Sequence, residues 1–341
     1  MPKLSSITAP LLEWYEKNKR DLPWRRDREP YHVWISEIML QQTRIEAVLG
    51  YYARFIDALP DVKSLSEVGD NALMKLWEGL GYYSRARNLK KAAVTITKEY
   101  GGAFPTTFDT LKKLPGIGEY TAGAIASICF DEKVPAVDGN VLRVIARVQG
   151  SRENVLLPQT KAKVTEQLRK IMPDNAGAFN EALMELGELI CLPNGAPLCE
   201  SCPLNDQCTA CQKALTAEIP VRIKNVKRRR TDLSVFIITS PNGLIALEKR
   251  PDKGLLSGMY QLPNIEGFHD DDLLIRALQD RKLEPIDITF DKTAKHVFTH
   301  IDWYMRAYRV SVRQTGGDFL WVTPEELRSS YPLPTAFQKL L

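Results

Sequence analysis

Three stretches of the chain hold side chains suited to chemistry. Residues 114–118 read LPGIG, a tight turn in which Gly116 and Gly118 can take positive φ and let another backbone come close. An uncharged, alanine-rich run follows, Tyr120–Phe130, with the character of a buried helix. A helix start behind a glycine hairpin presents free backbone N–H groups, and these attract a phosphate. Further on, Asp138 precedes Gly139 and the amphipathic run NVLRVIARV. A phosphate clamp followed by a carboxylate on a turn is a way to hold nucleic acid while acting on it. Taken alone, Asp138 reads first as the N-cap of the next helix. The two roles are compatible, since a cap also fixes the carboxylate in place.

The second stretch is WISEIMLQQT. Glu37 stands there among Trp34, Ile35, Ile38 and Met39. Apolar neighbours on both sides favour the protonated carboxyl and make Glu37 a candidate general acid; a place on the solvated helix face is the alternative. Gln41, Gln42 and Thr43 form a polar patch whose amides suit base edges. The third stretch is thiol-rich. Five of six cysteines fall within Cys191–Cys211, spaced Cys191-x7-Cys199-x2-Cys202-x5-Cys208, with Cys211 left over as a competitor. Cys129 stands apart in the apolar run and reads as a packed core residue. Such crowding indicates a metal site. Zinc and an iron–sulfur cluster both accept four cysteines, and one ligand at a helix end with three in an irregular loop fits a cubane better.

Two further clusters mix cations with aromatics: Arg20, Trp24, Arg25, Arg26 and Arg28 in RDLPWRRDREP, and Tyr82, Tyr83, Arg85 and Arg87 in GLGYYSRAR. Both read either as ordinary loop and packing residues or as phosphate contacts beside a stacked or wedged base.

The elements that must position these groups are helical up to residue 230. A first helix presents Leu11, Leu12, Trp14 and Tyr15; His32–Ile56 reads as one continuous helix; FNEALMELGELIC leads into the cysteines. From Thr231 the pattern changes to strands, with LSVFIITS, PNG and LIALEKR reading as strand, turn, strand. The expected organisation is an all-α domain over 1–211, a basic linker over 212–230 ending in RIKNVKRRR, and an α+β domain over 231–341. The linker reads as a solvated tether or a strap along a DNA backbone. A chain of 341 residues with 44% hydrophobic and 26% charged residues is of soluble globular type. A net charge of +4 is too small to establish a nucleic-acid partner. With no membrane-crossing run and no basic-then-apolar leader, a cytoplasmic protein with reduced thiols is expected.

LPGIG with VPAVDGN resembles the helix-hairpin-helix glycosylase superfamily, which includes endonuclease III. With PWR at 23–25, WISEIMLQQT, GLGYYSRARNL and the four-cysteine loop, the chain resembles the MutY-type adenine DNA glycosylases over essentially its whole length. The resemblance implies removal of adenine mispaired with 8-oxoguanine or guanine in double-stranded DNA, by a monomer. It makes Glu37 the acid that protonates the departing adenine and Asp138 the carboxylate that stabilises the cationic sugar, with Tyr120 and Asn140 beside them. Arg20, Trp24 and Glu181 match positions lining the adenine pocket. Gln42 and Tyr82 match the pair inserted into the base stack. Gly116 and Gly118 match the phosphate hairpin. Cys191, Cys199, Cys202 and Cys208 match ligands of a 4Fe–4S cluster, zinc being the alternative, although the first gap is one residue longer than usual. Tyr120 stands where endonuclease III-type enzymes have a lysine. A phenol forms no Schiff base, which implies a glycosylase that uses water and does not cleave the strand. The second domain resembles a Nudix fold, but DDDLLIRALQD lacks the paired glutamates that hold Mg²⁺, so the fold serves recognition. Phe298, Thr299 and His300, after His296, match the loop that reads 8-oxoguanine, with Thr299 where the family commonly has serine.

Overall fold

The structure, a computed structural model, describes residues 4–223, 228–251 and 253–341. The chain forms two compact units: Met1–Glu67 with Arg87–Lys224, and Val68–Ala86 with Asn225–Leu341. Segment Val68–Ala86, inside the helical half of the sequence, thus packs with the C-terminal half. Glu78 shows how: its Oε1 accepts from the Leu333 backbone N at 3.0 Å and from Gln338 Nε2 at 2.9 Å.

The helical elements run α1 (Thr8–Asn18), α2 (Pro30–Leu40), α3 (Ile45–Ala58), α4 (Val62–Glu67), α5 (Asp70–Leu76), α6 (Ser84–Glu99), α7 (Phe108–Leu111), α8 (Glu119–Phe130), α9 (Gly139–Gln149), α10 (Pro158–Arg169), α11 (Ala176–Leu189) and α12 (Thr209–Gln212). In the first unit α8 is the centre. Eight of its residues are buried, and it packs on α2 and α11, while α11 also packs on α1 and α9. Small residues allow this. A Cβ on Gly123 would lie 2.7 Å from Pro135 O, and one on Gly177 2.8 Å from Ser127 O. Any side chain at either position would push the backbones apart and displace the segment leading to Asp138. Asn180 pins that segment: its Nδ2 donates to Val134 O (2.9 Å) and Ser127 Oγ (2.8 Å), and its Oδ1 accepts from Ala136 N (3.0 Å).

The single helix expected over His32–Ile56 is two. α2 ends at Leu40 and α3 begins at Ile45, and Gln42 between them takes φ 60°. No glycine or proline marks this break. A non-glycine residue in the left-handed region costs about 1 kcal/mol. Gln41, Gln42 and Thr43 therefore lie on a strained turn and not in mid-helix. In the LPGIG turn, Gly116 takes φ 77°, and a Cβ there would lie 2.6 Å from Asn88 Cβ, whereas Gly118 has φ −90° and serves as the N-cap of α8. Only the first of the two glycines uses the left-handed region.

In the second unit, β1 (Arg229–Thr239), β2 (Ile245–Lys249), β3 (Tyr260–Gln261), β4 (Asn264–Glu266), β5 (Pro285–Val297), β6 (Ile301–Val312) and β7 (Leu320–Val322) form one mixed sheet, ordered β3-β2-β1-β6-β5, with β4 also on β1 and β7 on β2. β1 runs parallel to β6, with Leu233 opposite Met305. Its continuous apolar run follows from burial on both faces. Leu233, Val235 and Ile237 enter one core with the C-terminal helical segments, and Phe236 and Ile238 enter another with the helix α13 (Asp271–Asp280). Strand β1 already includes Arg229 and Arg230 of the expected linker. Arg229 pairs with Glu266 at 3.3 Å and Arg230 with Asp232 at 2.8 Å, so these two cations are tied into the sheet. Lys224–Lys227 of that basic run lie outside the described residues.

Candidate active site

A cleft of about 990 Å³ opens in the helical unit. It brings together Arg20, Trp24, Glu37, Gln42, Gly116, Gly118, Tyr120, Asp138, Asn140 and Glu181, residues spread over some 160 positions of sequence. Tyr82, Phe298, Thr299 and His300 do not line it; they belong to the second unit.

Glu37 is 7% exposed on α2, and its Oε2 has no hydrogen-bond partner. Burial pushes its carboxyl up to about 7; the Tyr120 hydroxyl and Arg25 oppose this, while the charges of Asp138 and Glu181 add to it. Glu37 therefore keeps a proton near neutrality. Asp138 is the N-cap of α9, as cap preference suggested, and it also faces the cleft. Its Oδ1 accepts from Val141 N at 2.8 Å and its Oδ2 from Asn140 Nδ2 at 3.0 Å. Burial raises its carboxyl, and the Val141 N–H and the Arg143 charge work against that rise. Both carboxyls are thus raised by burial, and they differ in their partners: Asp138 accepts two hydrogen bonds, whereas Glu37 leaves one oxygen bare. The Tyr120 hydroxyl donates to Met184 Sδ at 3.1 Å, and burial holds the phenol neutral.

The cationic cluster at 20–28 is not a free phosphate surface. Glu185, 1% exposed on α11, accepts from the Arg20 backbone N (3.0 Å), Arg20 Nε (2.8 Å), Arg20 Nη2 (2.9 Å) and Arg25 Nη2 (2.9 Å). Burial would raise Glu185, but these bonds outweigh it and hold its carboxyl down at about 2. Arg25 Nε also reaches Glu181 at 3.2 Å, and the burial of Glu181 pushes its own carboxyl upward. Arg26 pairs with Asp21 and Arg28 with Asp131. Trp24 is buried edge-on against Tyr52 at 5.1 Å, so its ring is mainly wall. Sequence reading passed over Glu185 and Glu188, although Glu181, Glu185 and Glu188 recur at helical spacing along one side of α11.

A second line of contacts joins the cleft to the thiol loop. Asn140 Nδ2 also donates to Glu188 Oε1 at 3.0 Å, and Arg143 Nη2 donates to Asn140 Oδ1 at 2.8 Å while its Nε reaches Cys191 O at 2.7 Å. One turn on, Arg147 Nη1 donates to Cys191 Sγ at 3.2 Å. Both arginines are buried in α9, where the sequence shows only an amphipathic repeat. Cys191, Cys199, Cys202 and Cys208 gather in the loop and interact electrostatically, with Cys208 as the N-cap of α12. Among the described residues, no three His, Cys, Asp or Glu side chains close on a single point as one metal ion demands.

In the second unit, the loop 298–300 closes the β5–β6 hairpin. Phe298 packs between His296 (ring centroids 4.5 Å apart, tilted) and Trp303 (4.8 Å, edge-on), while Thr299 and His300 are exposed. Of the tyrosine pair, Tyr83 is buried and Tyr82 projects, 46% exposed at φ 47°, with its hydroxyl 3.2 Å from Thr299 Oγ1. Arg85 is buried over Trp77 and donates to Leu80 O and Gly81 O, so it braces the turn.

This fold has counterparts. Residues 35–174 match the HhH-GPD superfamily of base excision DNA repair proteins and residues 234–341 match the NUDIX domain. A thermostable thymine-DNA glycosylase aligns with TM-score 0.57 and 29% identity, covering 62% of this chain and 97% of that one. An endonuclease III in a non-covalent DNA complex aligns with TM-score 0.53 and 26% identity, covering 63% and 99%. The adenine DNA glycosylase of Mus musculus is 33% identical over 402 residues, covering 99% of this chain and 77% of its own length. The chain belongs to the adenine DNA glycosylase family of base excision repair enzymes. That family is generally associated with a 4Fe–4S cluster. No helix among the described residues is long and apolar enough to cross a membrane.

Proposed function

We propose that this protein hydrolyses the N-glycosidic bond of adenine mispaired with 8-oxoguanine or guanine in duplex DNA, acting as a monomer. The observation that carries this reading is the pairing, in one cleft, of a carboxyl pushed up to about 7 with one oxygen unpartnered and a second carboxylate held by Val141 N and Asn140. Glu37 donates its proton to a ring nitrogen of the flipped-out adenine. The C1′–N9 bond breaks with its electron pair leaving on the base, and the sugar becomes an oxocarbenium ion. The Asp138 carboxylate stabilises that cation. Water adds at C1′ and gives its proton back to Glu37. Tyr120 is a neutral phenol beside Glu37 and offers no amine, which supports hydrolysis without strand cleavage.

In this reading, Arg20, Trp24 and Glu181 shape the base pocket; Gln42, on its strained turn, and Tyr82 enter the base stack; the Gly116–Gly118 turn takes a phosphate. Phe298, Thr299 and His300 meet the base opposite. The functional division follows 1–211 for glycosylase, 212–230 for the tether and 231–341 for recognition. Cys191, Cys199, Cys202 and Cys208 hold a 4Fe–4S cluster, which when bound fixes the loop against α9 and supplies no step of base release.

The test is incubation with a duplex holding one adenine opposite 8-oxoguanine, scored for free adenine. Asp138→Asn is expected to abolish release while mobility-shift binding persists; full activity in that variant overturns the mechanism. Borohydride is expected to trap no protein on the DNA, and a trapped species would show an amine nucleophile.

A further inference from the structure

The cations that line the cleft are of two kinds. Arg20 and Arg25 are held by Glu185, and Arg143 by Asn140, Gly187 and Cys191. Arg44, Lys161 and Arg222 line the cleft as well, and among the described residues no acid pairs with them. The exposed acids of the cleft, Glu119 and Glu188, accept from Lys112 and Asn140 instead. Arg44 is the N-cap of α3, directly after the Gln41–Thr43 turn, and Lys161 stands in the first turns of α10. Arg222 opens the basic run RIKNVKRRR. The later described cations of that run all face acids: Arg228 lies 3.9 Å from Asp302, Arg229 3.3 Å from Glu266 and Arg230 2.8 Å from Asp232. Arg222 is also held in place by backbone on both sides. Ile219 is buried and its carbonyl accepts from Arg147 Nε at 2.7 Å. Val221 O accepts from Val155 N at 3.1 Å. The side-chain amide of Asn154 then clamps the next residue: Ile223 N donates to Asn154 Oδ1 and Asn154 Nδ2 donates to Ile223 O, each at 3.2 Å. Ile223 is 61% exposed, so its own burial does not hold the segment.

We propose that Arg222 binds a phosphate of the DNA backbone, that Asn154 is the positioning residue that aims it, and that Arg44 and Lys161 complete a cationic rim around the cleft. The proposal rests on the reading that this cleft takes duplex DNA. A cation already paired with an acid must give up that pair to take a phosphate; these three have nothing to give up. A guanidinium fork suits two phosphate oxygens at once. Contacts from three separate elements fix where the strand lies and carry no sequence information. The first part of the basic run thus grips the strand at the glycosylase cleft, and its last part is built into the sheet of the second unit.

The experiment measures the affinity of the full-length protein, over a range of salt concentrations, for a duplex holding a non-hydrolysable 2′-fluoro adenosine opposite 8-oxoguanine. Each phosphate contact contributes about 0.9 to the slope of log affinity against log salt. Arg222→Gln should lower the slope by about that amount and weaken binding about three- to tenfold at 0.1 M salt, and Arg222→Lys should restore most of both. Arg26→Gln is the control for net charge, since Arg26 pairs with Asp21 and does not line the cleft; its slope should match wild type. An unchanged slope in Arg222→Gln overturns the proposal, as does an equal loss in Arg26→Gln. Asn154→Ala should weaken binding in the wild-type background and add nothing to Arg222→Gln. A fully additive loss overturns its role in aiming Arg222. Neutral methylphosphonates placed one at a time along the adenine strand locate the contact. One position should weaken wild type and leave Arg222→Gln indifferent; identical scans for the two proteins count against the contact. Wild-type protein whose binding ignores salt would instead remove the reading of the cleft as a DNA site.

Discussion

Glu37 and Glu185 line the same cleft, on α2 and α11, and both are buried. Their carboxyls nevertheless stand at about 7 and about 2. Burial pushes both upward, so the environment as such does not decide between them. Partners do. Glu185 accepts four hydrogen bonds from Arg20 and Arg25, and Glu37 leaves Oε2 with none. One glutamate is thereby an anion that fastens the 20–25 segment to α11, and the other is a stored proton in front of the cleft. If the comparison is sound, removing Glu37 should harm the reaction and spare the fold, and removing Glu185 should do the reverse.

The largest effect is expected at Glu37. Glu37→Gln keeps the shape and removes the proton, and the single-turnover rate of adenine release should fall on the order of 10²–10⁴-fold. In the parent protein the donor must be protonated, so the rate should decline as pH rises through about 7. A flat profile from pH 6 to 9 would break the assignment of Glu37 as the acid. Glu185→Gln comes next. It takes the buried anion from two half-buried guanidinium groups, of which Arg25 keeps Glu181, a loss of about 3 kcal/mol in stability, the low end for breaking a buried pair. Urea unfolding monitored by tryptophan fluorescence would measure it, and a change below about 1 kcal/mol would mean that the fork holds little.

The third prediction turns on sign. Glu37 binds its proton more tightly folded than unfolded, since its carboxyl rises from 4.5 to about 7. Its contribution is intact below pH 4.5 and is lost as pH rises through about 7, a cost approaching about 3 kcal/mol at pH 8. Glu185 behaves oppositely: its carboxyl is lowered from 4.5 to about 2, so it stabilises above pH 4.5 and loses that effect as pH falls toward 2. Glu37→Gln should therefore raise the melting temperature at pH 8 by several degrees and leave it nearly unchanged at pH 4.5. Equal shifts at both pH values would show that the carboxyl's charge is not what the folded state resists.

Much of this arrangement is legible in the sequence because its signals are local. The small-residue run of α8, the turn at 114–118, the cap at Asp138, the cysteine spacing and the doubly buried β1 each follow from a few adjacent residues. Glu37's apolar neighbours pointed to a raised carboxyl for the physical reason found in the structure. What escaped is of two kinds. The break between α2 and α3 has no glycine or proline to announce it, and Gln42 there takes φ 60° against its local preference. The Glu185 fork and the grouping of Val68–Ala86 with the C-terminal half depend on contacts between segments more than 150 residues apart, and no local pattern encodes them. The partners of Arg20 and Arg25 are equally remote, on α11, whereas Arg26 pairs with the nearby Asp21.

Thr299 extends the comparison to an exposed site, where the loss of a partner should be cheap. Its Oγ1 lies 3.2 Å from the Tyr82 hydroxyl, and both side chains are open to water. Water can replace a hydrogen bond there, unlike at Glu185, so Thr299→Ala should change stability by less than about 1 kcal/mol. If the hydroxyl also meets the base opposite adenine, the ratio of rates on 8-oxoguanine and guanine duplexes should still fall, by about tenfold or less. Parallel single-turnover measurements on the two duplexes would show it. An unchanged ratio with unchanged stability would take the 298–300 loop out of recognition and leave Thr299 as a surface contact for Tyr82. A large loss of stability would contradict the rule drawn from the two glutamates, that a missing partner is expensive only where water cannot follow.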